Sequence, residues 1–378
     1  MRVLVDDSAA VHQGAGIGRY ARNVVRTATR AGGEVDWVLA YAAGWGEMPP
    51  FLAEAFRGLA QSDRVEVRRL PLGDAWMTRL WHRARVPIPI QLLAQRRADI
   101  VYSPDLAVAP SGRAPRVPTI HDLAFMVRPE LYPPRLLAYL RAVTDRQIVA
   151  AAHIVTVSAS SRTDLIERTG VQPERISVVP NGVDERFFAA QPPDEATRTR
   201  LGLPEDYLLT VGAIEPRKNH LGLLAALDRL APNDRLPLVV AGRTGWGNVP
   251  IMAEIRRRQG DGTVVFLPDV PDDVLPALYA GAAAMVYPAL YEGFGIPVIE
   301  ALATRTPVVV NDTPALREAA GPHGVVADAS DPESLAMAIS VALRTPSGGE
   351  ETRREWAGRW NWDRSGTLLV EVLKDVAG

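Results

Sequence analysis

The sequence predicts an α/β protein built as two doubly wound parallel-sheet domains with a cleft between them. Short apolar runs, seven in the first half and six in the second, alternate with helical stretches along the chain. Most of these runs are β-branched and turn polar only at their C-terminal ends, the pattern of parallel strands buried on both faces. The length of 378 residues exceeds one usual domain, and a hydrophobic content of 47% can fill two cores.

The strands follow in order. In the first half they are "RVLVD" (2–6), "DWVLAY" (36–41), "RVEVRRL" (64–70), "ADIVYS" (98–103), "VPTIHD" (117–122), "HIVTVS" (153–158) and "ISVVPN" (176–181). In the second they are "YLLTVGA" (207–213), "LPLVVAG" (236–242), "TVVFLPD" (263–269), "AAMVYPA" (283–289), "TPVVVND" (306–312) and "HGVVAD" (323–328). Residues 187–206 lack a strand and are rich in proline and charge, so the linker is placed there. This gives a first domain over 1–186, a second over 207–353 and a terminal helical segment over 354–378.

Composition excludes several function classes. A net charge of −2 gives no global reason to expect nucleic acid. The absence of cysteine removes disulfides, thiolate metal sites and cysteine catalysis. "MRVLVDDSAA" starts directly with a strand, without the apolar region of a signal peptide, and no uncharged run reaches ~18 residues. The expectation is a cytoplasmic protein without a spanning helix.

Open parallel sheets bind ligands at their carboxyl edges, so the polar strand ends carry the functional candidates. "LYEGFGIPVIEALA" (290–303) reads as a glycine-bearing loop opening a helix, with Pro297 in the first turn, where its missing N–H costs nothing. A helix start favours a phosphate. Glu292 and Glu300 would repel that phosphate if aimed at it, but suit hydroxyls on either side of it. A nucleotide-sugar has that shape. "VGAIEPRKNH" places Arg217 and Lys218 where a diphosphate needs neutralising, and "AGRTGWG" adds Arg243. "GAGIGRY" (14–20) is a glycine loop opening a helix, and "IHDLAF" puts His121 and Asp122 at a strand end. In "TVSASSRTDLIE", Ser158 ends a strand while Ser160 or Ser161 serves as a helix cap. Asn181-Gly182 reads as a turn.

Together "GIGRY", "HDLAF", "VSASSRTDL", "VPNGVD", "VGAIEPRKN", "LYEGFGIPVIEALATRTPVVVNDTPALREAAG" and "WNWDRSG" resemble the retaining glycosyltransferases of the GT-B architecture, in the family 4-like group that includes bacterial mannosyltransferases. The ordered set covers nearly the whole chain. The resemblance implies two facing Rossmann-like domains, the first for acceptor and the second for nucleotide-sugar donor, with the final helix packing back on the first. Glu300 would bind the donor ribose. Glu292 would contact the donor sugar near the reacting centre. Backbone N–H groups around Phe294, Gly295 and Ile296 would reach the sugar and phosphates, and Lys218 with Arg217 would neutralise the leaving diphosphate. Gly16 and its neighbour Ile17 would border diphosphate and acceptor, and His121, beside Asp122, would order the transferred sugar's hydroxyls. The loop at 268–270, including Val270, would border the base.

The implied reaction moves a hexose, mannose as the first candidate, from a nucleoside-diphosphate sugar to a hydroxyl of a glycan or lipid-linked acceptor. A soluble small-molecule or antibiotic acceptor is the alternative within the class, and a nucleotide-sugar epimerase the rival outside it. No cofactor or metal is expected. Many relatives carry arginine where this chain has Ala213, so Arg217 or Arg243 must compensate. Thr304 and Arg305 stand where small residues are more usual. The stretch 74–97 interleaves Trp76, Met77, Leu80 and Trp81 with Arg79, Arg83, Arg85, Arg96 and Arg97, which suits either ordinary core beneath solvated arginines or peripheral contact with an anionic membrane face.

Overall fold

A computed structural model describes residues 1–14, 16–44, 46, 48–59, 63–344 and 349–378. The chain forms two compact units: residues 1–182 with 361–378, and residues 183–360.

In the first unit the strands are β1 (Arg2–Asp6), β2 (Asp36–Ala42), β3 (Val65–Leu70), β4 (Ile100–Ser103), β5 (Arg116–Ile120), β6 (Ile154–Thr156) and β7 (Ile176–Val178). In the second they are β8 (Leu208–Val211), β9 (Leu238–Ala241), β10 (Val264–Leu267), β11 (Ala284–Tyr287), β12 (Val308–Asn311) and β13 (Gly324–Ala327). All of them fall within the apolar runs read from the sequence, give or take one residue. Among the described residues the first sheet has the order β3-β2-β1-β4-β5-β6-β7 and the second β10-β9-β8-β11-β12-β13. Every pairing is parallel. Strand order therefore reverses beside β1 in one unit and beside β8 in the other, the position where doubly wound sheets open a crevice.

The cores explain why the runs are so apolar. In the second unit Leu208, Val240, Val286 and Val309 pack against Leu223, Leu224, Ile255 and Ile339 from the surrounding helices. In the first, Leu4, Val38, Val101 and Leu70 pack against Met77, Trp81 and Ile90. Met77 and Trp81 are thus core, because the turns Asp74–Thr78 and Arg79–Arg83 bury one side of that stretch. Trp76 stays 62% exposed with Arg79 stacked 5.1 Å from its ring centroid.

Local capping sets the helix starts. The helix Ala159–Thr169 is capped by Ser158, whose Oγ accepts from the Ser161 N–H at 2.9 Å. The cap is therefore two or three residues earlier than Ser160 or Ser161. Ser161 Oγ instead donates to the His121 carbonyl, tying that helix to the end of β5. Residues 187–206 lie in the second unit and carry a helix, Glu195–Leu201, capped by Asp194. The final helix, Trp362–Ala377, lies in the first unit and packs along the helix Gly16–Ala31. Gly366 permits that approach, since a Cβ there would sit 2.5 Å from the Thr27 backbone.

Candidate functional site

The loops after β8 and β11 flank the point where strand order reverses in the second sheet. After β8 the chain makes a tight turn, Pro216–Lys218, before the helix His220–Leu227. After β11 it runs through Pro288 to Gly295 and enters the helix Ile296–Ala303. The Leu290 N–H donates to the Arg217 carbonyl at 2.9 Å, so the two loops are pinned together by backbone.

Four charged side chains meet there. Lys218 Nζ lies 2.6 Å from Glu292 Oε1 and donates to the Tyr287 hydroxyl at 2.7 Å. Arg217 reaches the same Glu292 oxygen at 2.8 Å, donates to the Tyr291 carbonyl at 2.9 Å and holds Glu215 at 3.0 Å. The side chains of all four are 10–14% exposed. Burial pushes the Glu292 carboxyl up, but Arg217 and then Lys218 outweigh it, leaving it below the ordinary carboxylate value. Burial pulls Lys218 down, and Glu292 offsets only part of that. Burial also holds the Tyr287 phenol un-ionised. The result is a largely buried cationic pair fixed by two carboxylates, with Lys218 donating to Glu292 and Tyr287.

The helix start beside it depends on one glycine. Gly295 has φ +113°, and a Cβ there would sit 2.8 Å from Leu316 Cδ2. Any other residue would be strained and would clash. Among the described residues the N–H groups of Phe294, Gly295 and Ile296 donate to no backbone carbonyl. Pro297 occupies the first turn, as the sequence reading requires. Phe294 is buried edge-on against Trp360, ring centroids 5.0 Å apart. Glu300 follows one turn later, 2% exposed, with one oxygen accepting from the Tyr279 hydroxyl at 3.0 Å.

The structure thus gathers Arg217, Lys218, Glu292, Phe294, Gly295, Ile296 and Glu300 around two neighbouring loops. Arg243 stands apart: it is exposed after β9 and paired with exposed Asp269 at 2.8 Å. Val270 is half-buried on the loop after β10. Of the two arginines considered as stand-ins for the cation missing at Ala213, Arg217 is the one that touches the Glu292–Lys218 pair.

In the first unit, Gly16 and Ile17 open the helix Gly16–Ala31, while Ala15 of the same glycine loop lies outside the described residues. His121 is held at the end of β5 by two contacts. Its Nε2 donates to the Pro104 carbonyl at 2.8 Å, which places the proton on Nε2 and leaves Nδ1 as the acceptor. Tyr20 meets the ring edge-on at 4.9 Å. Asp122 turns back on its own chain, accepting from the Ala124 N–H at 2.9 Å, so its observed contact is a local turn.

Three partners escaped sequence reasoning. Glu215 and Tyr287 belong to the charged cluster, and Tyr279 holds Glu300. Glu215 had a local signal, a carboxylate two residues before Arg217. The tyrosines had none, because each sits inside an apolar element.

Comparison with known proteins decides the family. The family model "Glycosyltransferase Family 4" matches residues 14–187, and "Glycosyl transferases group 1" matches residues 194–359. The chain is 30% identical over 284 residues to the O-antigen chain mannosyltransferase B of Escherichia coli, covering 73% of this chain and 74% of that protein. The chain belongs to the family 4-like glycosyltransferases of the GT-B fold. A second relative, the D-inositol 3-phosphate glycosyltransferase of Geodermatophilus obscurus, is 34% identical over 252 residues, 63% of this chain and 56% of that one. Anabaena HepE, solved with UDP-glucose, shares the fold with a TM-score of 0.70 at 18% identity, over 99% of this chain and 100% of that one. Within this glycosyltransferase, the crevice after β8 and β11 is the candidate site.

Proposed function

We propose that this glycosyltransferase is retaining and metal-independent, and moves a hexose, mannose first among the candidates, from a nucleoside-diphosphate sugar to a hydroxyl of a glycan or lipid-linked acceptor. The observation that carries the reading is the convergence of Arg217 and Lys218 on Glu292 beside the Gly295–Ile296 helix start. Diphosphate charge is met by the two cations and by the N–H groups of Phe294, Gly295 and Ile296. Glu300 accepts from the donor's ribose hydroxyls, and Glu292 from the sugar. His121, its Nδ1 an acceptor, orders a hydroxyl of the sugar in transit. The likeness to the O-antigen chain mannosyltransferase B supports the choice of sugar, and the HepE complex supports a nucleotide-sugar donor.

In this reading the bond from the anomeric carbon to the β-phosphate oxygen breaks, and its electron pair leaves with the nucleoside diphosphate. The acceptor oxygen bonds to the same face of the sugar, and its proton passes to a departing phosphate oxygen. Negative charge grows on the diphosphate as the sugar becomes cationic, so preorganised cations and N–H dipoles stabilise the transition state more than the ground state. No glycosidase-like carboxylate pair is then required.

For a lipid-linked acceptor the protein would rest on an anionic membrane surface. Exposed Trp76, Leu72 and Leu92, with exposed Arg79, Arg83, Arg85 and Arg97, support such contact. No helix among the described residues is long and apolar enough to cross a membrane. The decisive assay is release of nucleoside diphosphate from GDP-mannose and UDP-glucose with and without acceptor, in the presence of EDTA, with the product's anomeric configuration read by NMR. Acceptor-dependent release that survives EDTA and gives the donor's configuration is expected. An inverted product, or release abolished by EDTA, would overturn the respective part of the proposal.

A further inference from the structure

The first unit holds a cavity of about 190 Å³ that the donor chemistry does not use. It opens where strand order reverses in the first sheet, between the carboxyl ends of β1 and β4. Asp6 ends β1 and Ser103 ends β4; Asp74, Thr78 and His82 approach from the turns after β3, and Asp105 follows β4. Met77 and Trp81 supply an apolar wall, with the Trp81 indole fixed by donation to the Ile88 carbonyl at 3.0 Å.

Two side chains in this lining keep hydrogen-bonding capacity toward the cavity. Asp6 is 7% exposed, and Ser8 is its one hydrogen-bonding neighbour among the described residues, at 2.8 Å. Ser8 serves it through both its hydroxyl and its backbone, and since a carboxyl offers about four acceptor sites, Asp6 keeps capacity for a hydroxyl in the cavity. His82 makes no ring hydrogen bond among the described residues. Burial, with Arg146 nearby, lowers its pKa to about 4, so at neutral pH the ring is uncharged and can both donate and accept. Burial likewise raises Asp6 to about 7.

The charge of the lining is one-sided. Asp6, Asp74 and Asp105 face the cavity, and among the described residues no lysine or arginine lines it, Arg83 and Arg146 lying near Tyr139 and His82. Asp105 is held in place, accepting from the Leu106 N–H at 2.6 Å and from Gln13 Nε2 at 3.1 Å. Hydroxyls donate well to such a surface. A phosphate or carboxylate would be desolvated against like charge.

We infer that this cavity binds an uncharged sugar ring of the acceptor, its hydroxyls taken by Asp6, Asp74 and Asp105, and that it discriminates against acceptors carrying a phosphate or carboxylate on that ring. The space exceeds the room one water needs several-fold and suits one ring rather than an oligosaccharide. Mixed hydroxyl, amide, imidazole and carboxyl groups against an indole wall make a surface that matches a sugar's polar rim and apolar face. The inference rests on the reading of the chain as a sugar transferase with its donor on the second unit.

The test uses the full chain and two probes, methyl α-D-mannopyranoside and its 6-phosphate, with binding measured by saturation-transfer NMR and calorimetry in the absence of donor. The neutral glycoside should bind at least tenfold more tightly than the phosphate. In D74N and D105N variants that preference should narrow to threefold or less, with melting temperatures confirming that the variants fold. Equal or tighter binding of the phosphate, no binding of the neutral glycoside, or an unchanged preference in both folded variants would each overturn the inference. A parallel titration with nucleoside diphosphates separates the two readings. Nucleotide binding without sugar discrimination sinks the cavity assignment alone, whereas no nucleotide binding sinks the transferase reading beneath it.

Discussion

Lys218→Ala separates a catalytic cation from a structural one. Lys218 is 13% exposed, 2.6 Å from Glu292 and 2.7 Å from the Tyr287 hydroxyl. Removing one member of a buried ion pair costs about 3–5 kcal/mol when the other charge is stranded. Glu292 is not stranded, because Arg217 remains 2.8 Å from it. The expected loss is therefore that of a charged hydrogen bond, about 1.5–3 kcal/mol. For a domain of this size each kcal/mol moves Tm by about 2–4 °C, so a fall of roughly 3–12 °C follows. The effect on turnover should be larger in kind, because diphosphate charge peaks in the transition state. Loss of one preorganised donor there lowers kcat about 10²- to 10³-fold. The assay is nucleoside-diphosphate release at saturating donor, run well below the variant's Tm, with Lys218→Arg as the charge-preserving control. A variant with the expected fall in Tm but kcat within threefold of the parent would refute the reasoning and reduce Lys218 to a strut for Glu292.

Glu300→Ala should weaken nucleotide-sugar affinity at least tenfold in calorimetry while the fold survives; unchanged affinity with a lowered Tm would leave Glu300 as a structural partner of Tyr279. Two carboxyls should drive stability in opposite directions with pH. Glu292, held below its ordinary value by Arg217 and Lys218 against the effect of burial, contributes stability that is present above the ordinary carboxylate pKa and lost as pH falls through its folded value. Asp6, raised by burial from 3.8 to about 7, contributes stability that is full below 3.8 and lost as pH rises toward 7. Glu292→Gln should therefore flatten the acid limb of a Tm-against-pH curve, and Asp6→Asn the limb between pH 4 and 7; a curve unchanged by either substitution contradicts that assignment. Deleting residues 361–378 removes Trp362, Leu369, Val370 and Leu373, all buried in the first unit. At about 1.5–3 kcal/mol each this approaches a whole domain's stability, so the deletion should lose the first unit's melting transition, and a normal transition would contradict the packing argument. Flotation with phosphatidylglycerol vesicles should occur at low salt and fade at high salt, and be reduced by Trp76→Ala; no flotation at low salt removes the membrane contact and points to a soluble acceptor.

Strands were legible because parallel sheets bury both faces, which leaves an unbroken apolar run ending in polar residues. The same rule made Lys218 and Glu292 visible as charges placed soon after such runs, with Glu300 on the helix that follows. Trp81 could be read two ways for the converse reason: a short turn with arginines on one side and tryptophans on the other looks amphipathic whether the apolar side meets lipid or core, and burial decides for core. Tyr287 and Tyr279 were invisible, because a tyrosine inside a strand or apolar helix reads as packing until its hydroxyl partner is known. Ser158 was missed as a cap because three serines compete within four positions and only the backbone decides which is extended. The first unit's cavity had no local pattern at all. Asp6, Asp74 and Asp105 are brought together by the order of β1 and β4 in the sheet, over a sequence distance that no motif spans.

The most direct test of the central claim, that the crevice after β8 and β11 holds a nucleoside-diphosphate donor, is a thermal-shift titration with UDP, GDP, ADP and dTDP. The account predicts that one of them raises Tm in a concentration-dependent way, by about 2.7 kcal/mol of added stability at one hundred times its Kd. It also predicts that the matching monophosphate does so far less, because Arg217, Lys218 and the helix start act on the second phosphate. No shift with any of the four, or equal shifts with mono- and diphosphates, would contradict it.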